Sequence, residues 1–209
     1  MKRKLTLAIT AVALAALMVI GGTLAWFTDS KSVTNKASFS NLGIDLTETF
    51  GKIENGQTID ADDNTVDALM PGDTLFKKPV VTNTKASDVL LKVTLTYGGT
   101  LFEKDAALLN DVKAAIDTNV WTTPVVSETD KTITFYKKTV LAATNTTDDK
   151  DVATIFDFSK KYEGKDWGNA IQDADFSLAV KVDAVQATNM DTNNDGTFSL
   201  EELAAAFTK

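Results

Sequence analysis

Apolar and polar positions alternate along five stretches of this chain, and a period of two predicts strands with one buried face. In "DVLLKVTLTYGG", Leu91, Val93, Leu95 and Tyr97 alternate with Leu90, Lys92, Thr94 and Thr96. "KTITFYKKTVL" sets Ile133 and Phe135 against Thr132, Thr134 and Tyr136. "DFSLAVKVDAVQAT" places Phe176, Leu178, Val180, Val182 and Ala184 on one face. "ASFSNLGIDLTETF" and "TLFKKPVVTNT" follow the same rule, with Asn41 and Gly43 as an irregularity in the first. Turn residues bound each run. The pattern predicts a mainly β fold, an antiparallel jelly roll or sandwich with one or two short helices.

The period changes in two places. In "TLFEKDAALLNDVKAAIDTNV", Leu108, Leu109, Val112, Ile116 and Val120 form a helical stripe, and Thr100 with Glu103 predicts a capping box ahead of it. Such a stripe is expected to pack on a sheet. Near the C-terminus, Leu200, Leu203, Ala204 and Phe207 share a helical face. Between the strands, "FGKIENGQTIDADDNTVDALMPGDT" is polar and turn-rich and reads as a long connection with a short strand inside it, and "ATNTTDDKD" as an exposed loop. No repeat or linker divides the chain.

The N-terminus changes the picture. "MKRK" is a cationic start, "LTLAITAVALAALMVI" an uncharged apolar run, and "GGTLA" a small-residue site with Thr23 and Ala25 at the cleavage positions. This is the pattern of a secretory signal peptide, with a retained membrane anchor as the alternative. The expected division is a signal over 1–25, a β domain over 26–190 and a C-terminal appendage over 191–209.

Composition narrows the chemistry. The 209 residues carry 21 Lys and Arg against 29 Asp and Glu, a net charge of -8, and loss of the signal would remove three more cations. Nucleic acid is excluded as a partner because phosphate neutralisation needs a basic face. The chain has no Cys and no His, which removes disulfides, thiol nucleophiles, imidazole bases and the HExxH zinc motif. No enzymatic activity is expected. Trp26, Trp121 and Trp167 are the only indoles available as sugar platforms.

One motif remains. "DTNNDGTFSLEE" reads as an EF-hand loop: Asp191, Asn193 and Asp195 at positions 1, 3 and 5, Gly196 at 6, the Thr197 carbonyl at 7, Ser199 at 9 and Glu202 at 12. These hard oxygens suit Ca2+. The alternative is a polar turn in which Ser199 and Glu202 cap the last helix. The segment before the loop alternates like a strand, so there is no entering helix, and a structural clip is expected rather than a sensor.

Two segments carry a resemblance. "GGTLAWFTDSKSVTNKASFSNLGIDLTE" and "LMPGDTLFKKPVVTNTKASDVLLKVTLTY" resemble the TasA/camelysin family, and "AVQAT" resembles its closing strand. The resemblance implies a secreted jelly-roll subunit of biofilm-matrix fibres, exported through a dedicated signal peptidase that cleaves between Ala25 and Trp26. It implies self-assembly in which the N-terminal strand of one subunit completes the sheet of the next, with other matrix proteins as further partners. Trp26, Phe27, Val33 and Phe39 would be the apolar residues of that strand. The competing expectation is a monomeric, calcium-stabilised surface or adhesion protein.

Overall fold

The computed structural model describes residues 28–32, 42–61, 65–143, 151–163, 167, 171–188, 190–192 and 197–208. Two antiparallel sheets face each other. The first contains β1 (Thr28–Ser32), β4 (Thr65–Leu69), β6 (Val89–Gly98), β7 (Val125–Ser127), β8 (Thr132–Tyr136) and β11 (Ala174–Gln186). Its order is β1-β11-β6-β8-β7, with β4 also on β11. The second contains β2 (Ile44–Glu54), β3 (Gln57–Asp60), β5 (Thr74–Asn83), β9 (Val152–Thr154) and β10 (Phe158–Lys161), in the order β10-β5-β2-β3 with β9 also on β5. Among the described residues three short helices complete the fold: α1 (Leu101–Lys104), α2 (Leu108–Ala114) and α3 (Leu200–Ala206).

The alternation settles the core. Leu91, Val93, Leu95 and Tyr97 of β6 and Phe176, Leu178, Val180, Val182 and Ala184 of β11 all point inward and are buried. They meet Ile44 and Phe50 of β2 and Leu75 and Val81 of β5. Aromatic rings fill the middle, with Phe176 stacked between Phe158 and Phe102. Leu90 points outward yet is also buried, because α3 covers it.

β5 shows how the sequence tolerates awkward residues. Pro79 cannot donate to a ladder, and it lies at the break where β10, paired with residues 74 to 77, gives way to β9, paired with residues 80 to 82. Lys77 occupies a core-facing position and is fully buried; its Nζ lies 2.9 Å from Glu48 and 3.9 Å from the centre of the Phe50 ring. Burial lowers the Lys77 pKa, and Glu48 acts against that shift. Asn83, also fully buried, donates through its amide to the carbonyls of Ser87, Leu141 and Ala142 and accepts from the Lys85 N–H. One side chain thus ties the β5–β6 turn to the segment after β8.

Three sequence expectations are corrected. The stripe over 100–120 is not one helix: the chain breaks between α1 and α2 at Asp105, which is extended at φ -115 and ψ 92 and whose carboxylate accepts from the Ala107 N–H. Val120 consequently falls outside any helix and is exposed. Thr100 makes no capping bond to α1; its hydroxyl donates to Asp175 at 2.7 Å, pinning the start of the helix to β11. The polar stretch after Phe50 is more ordered than expected. Asn55 and Gly56 both take positive φ, 50 and 80, which is the two-residue hairpin turn that joins β2 to β3. β4 then follows from the same stretch, with Val66 and Leu69 buried.

Candidate functional site

Two places can carry function, and both lie along β11. The first is its edge. β6 pairs with one side of β11 from Ser177 to Gln186. On the other side, β4 pairs with Ala174 to Ser177 and β1 pairs with Lys181 to Val185, in the register Thr28↔Val185 through Ser32↔Lys181. β1 and β4 therefore lie end to end along one edge. β1 is the sequence TDSKS, polar throughout. Its main chain pairs with β11 over all five residues. Of the residues expected to anchor this strand, Trp26, Phe27, Val33 and Phe39 lie outside the described residues, as do Ala25 and the whole signal segment. Among the described residues no helix is long and apolar enough to cross a membrane.

The second place is the C-terminal loop. After Gln186 the chain turns, with the Met190 N–H donating to the Ala187 carbonyl, and Asp191 follows. Ser199 caps α3: its hydroxyl accepts from the Glu202 N–H, and Glu202 Oε2 accepts from the Ser199 N–H at 2.9 Å and its hydroxyl at 2.8 Å. The capping box predicted by the turn reading is thus present. Glu202 Oε1 does something the box does not require. It accepts from Thr192 twice, from the hydroxyl at 2.5 Å and the N–H at 2.9 Å. The Thr192 hydroxyl, followed by the Ser199 donors, holds the Glu202 pKa down to about 2. One carboxylate therefore draws the second and ninth positions of the loop together around the twelfth.

Asn193, Asp195 and Gly196 lie outside the described residues; Asp191, Thr197, Ser199 and Glu202 lie within them. Among the described residues no cluster of three or more carboxylates stands ready for a metal. Donor types in the loop sequence suit a hard cation, and Glu202 is its twelfth position, the one that binds bidentately in loops of this pattern. Thr192 was not a residue the pattern could flag, because position 2 of the motif accepts any residue.

Beyond the loop, α3 packs outward-facing side chains of the first sheet. Leu203 and Ala206 are buried against Leu90, Val185 and Ala187, and the Phe207 ring lies 5.8 Å from Tyr136. Leu200, expected on the buried face, is instead exposed, because the face turns through Leu203 and Ala206. Val185 links the two places: its backbone pairs with Thr28 of β1, and its side chain lies under α3.

A protein-family model described as camelysin metallo-endopeptidase matches residues 1–203. No curated protein and no solved structure matches the chain.

Proposed function

Since the chain belongs to the camelysin metallo-endopeptidase family, we propose that it is a secreted structural protein that builds extracellular matrix fibres by exchange of its N-terminal strand. The observation that carries this reading is the placement of β1. It is a short polar edge strand, the first described element of the chain, seated beside the longest strand of the sheet. A strand held by backbone pairing can be replaced by the same strand of a neighbour with an identical ladder, so exchange changes the partner and not the bonds. Each subunit then offers its own N-terminal segment to the next, and the head-to-tail contact propagates a filament. Trp26, Phe27, Val33 and Phe39 supply the apolar anchors on either side of β1, and signal cleavage between Ala25 and Trp26 frees the segment.

The family's description names a peptidase, and this reading assigns no hydrolytic role. A chain without His lacks the usual zinc ligands and the usual general base of such enzymes. The C-terminal loop is assigned as a calcium clip, with Asp191, Asn193, Asp195, Thr197, Ser199 and Glu202 as donors. It holds α3 on the first sheet and has no second hand with which to form a sensor.

Electron microscopy tests the assembly. The mature chain is expected to form filaments, and a chain lacking residues 26 to 38 is expected to stay a folded β-rich monomer. Filaments of ordinary length from the truncated chain would refute strand exchange. For the clip, calcium is expected to raise the melting temperature of the mature protein. Asp191→Ala with Glu202→Gln is expected to abolish the rise. A melting curve indifferent to millimolar calcium would leave the loop as a cap only.

A further inference from the structure

A half-buried lysine and two carboxylates meet where the helical crossover packs on the second sheet. Lys160, on edge strand β10, points its Nζ at Asp105 Oδ2 and Asp111 Oδ2, each at 2.5 Å. Asp105 is the residue that breaks the crossover between α1 and α2, and its side chain is 2 % exposed. Its two oxygens are differently held. Oδ1 accepts from the Ala107 N–H at 3.1 Å, and Oδ2 accepts from the Tyr162 hydroxyl at 3.1 Å. The Tyr162 and Trp167 rings stand edge to face, with Lys160 Nζ 5.5 and 5.4 Å from their centres. Asp111 sits at the mouth of the cluster, 44 % exposed.

A simple ion pair explains less than this. Two charges taken from water gain little over an apolar pair, and a second carboxylate on one ammonium leaves an excess negative charge beside a buried acid. The same arrangement has every part needed for amide formation between the side chains. The amine nitrogen touches the carboxyl group through Oδ2, beside the Tyr162 and Trp167 rings. A backbone N–H lies on one carboxyl oxygen, where charge develops in the addition intermediate. A phenol lies on the other oxygen, the one that would leave, and burial first, then Asp105, raises the Tyr162 pKa and keeps that proton in place. A second carboxylate touches the amine and can carry its protons.

We propose that Lys160 and Asp105 join in an intramolecular isopeptide bond. The Lys160 ammonium gives one proton to Asp111 and its lone pair adds to Asp105 Cγ, forming the N–C bond. Oδ1 takes the negative charge, facing the Ala107 N–H. The Cγ–Oδ2 bond then breaks. Oδ2 takes the proton held by Asp111 and a second one from the nitrogen, and departs as water past Asp111. Ammonium plus carboxylate become amide plus water, with no oxidant or cofactor. In the ground state the ionic form prevails: burial alone would lower the Lys160 pKa, and the bonds to Asp105 and Asp111 raise it above its ordinary value. The reaction therefore proceeds slowly, once, from the neutral minority after folding. The product ties β10 to the crossover that leaves β6, so one covalent bond spans the two sheets. It serves a chain without cysteine as a disulfide serves others, by closing a long loop. This inference is independent of how the N-terminal strand pairs.

Mass spectrometry of the whole purified protein decides it. The intact mass is expected to fall short of the sequence mass, counted from the observed N-terminus, by one water. Tryptic mapping should give a branched peptide joining the segment that begins at Asp105 to the segment that contains Lys160. Lys160→Arg and Asp105→Ala should each restore the full mass, and Asp111→Asn should leave most molecules unjoined in a folded protein. A wild-type protein of full mass would overturn the proposal. So would a water loss that mapping places in a cyclic imide within a linear peptide. The wild-type measurement stands whether or not a variant folds.

Discussion

β4 and β1 occupy the same edge of β11, one after the other, and differ in what their sequences bring to it. β4 reads TVDAL and turns Val66 and Leu69 into the core, at 4 % and 0 % exposure. Its ladder on β11 is short and irregular, with a register shift between Ala174 and Phe176. β1 has the regular five-residue ladder and no apolar residue in its sequence. Hydrophobic burial makes an edge strand a permanent part of its own domain, because leaving exposes its side chains to water. Backbone pairing alone makes a strand replaceable, because any extended peptide of the right register restores it. Under the proposed strand exchange, the two neighbours separate what belongs to the fold from what is shared between copies.

The largest effect expected from this contrast is at β4. Leu69→Ala should cost about 2–5 kcal/mol, the usual range for emptying a fully buried leucine site, measured by urea unfolding of the monomer. Nothing comparable should follow in β1. There, Asp29→Pro combined with Ser30→Pro removes a ladder donor whichever of the two faces β11, at about 1 kcal/mol per lost bond. Amide exchange should then quicken at residues 181 to 185 and hold at residues 174 to 177, and filament growth should fall. A loss of global stability as large as that of Leu69→Ala would break the comparison.

The smallest effect comes from above the β1 seat, through α3. Glu202 has its folded pKa depressed from the ordinary 4.5 to about 2, first by the Thr192 hydroxyl and then by the Ser199 donors. A depressed acid stabilises the fold fully above its unfolded pKa, and that contribution disappears as pH falls through the folded value. Protection of the α3 amides should thus weaken between pH 4.5 and 2, ahead of β6, and Glu202→Gln should show the weakened state at neutral pH.

Most of the sandwich was legible in the sequence because β5, β6, β8 and β11 bury one face, and the period of two survives even with Lys77 on the buried side. The stretch expected to hold one short strand holds two, and β3 could not be placed, although "ENGQ" is a hairpin signal, because its four residues are all exposed and carry no alternation. β7, β9 and β10 are too short for a period to form. The break at Asp105 was illegible for a different reason. Besides the local Ala107 N–H, the partners of Asp105 are Tyr162 and Lys160, more than fifty residues away, and no local pattern contains them. At the C-terminal loop the capping partners were readable from spacing, while the role of Thr192 depends on where a free loop position points.

Asn83 has a consequence on the timescale of ageing. Its amide nitrogen serves three carbonyls from a fully buried position. Hydrolysis of that amide to a carboxylate, the slow chemistry of all asparagines, would replace the donors with an anion facing three oxygen dipoles. The tie between the β5–β6 turn and the segment after β8 would then repel. The packing that keeps water from this amide acts as its preservative, and the older the molecule, the more of its integrity rests on that shielding.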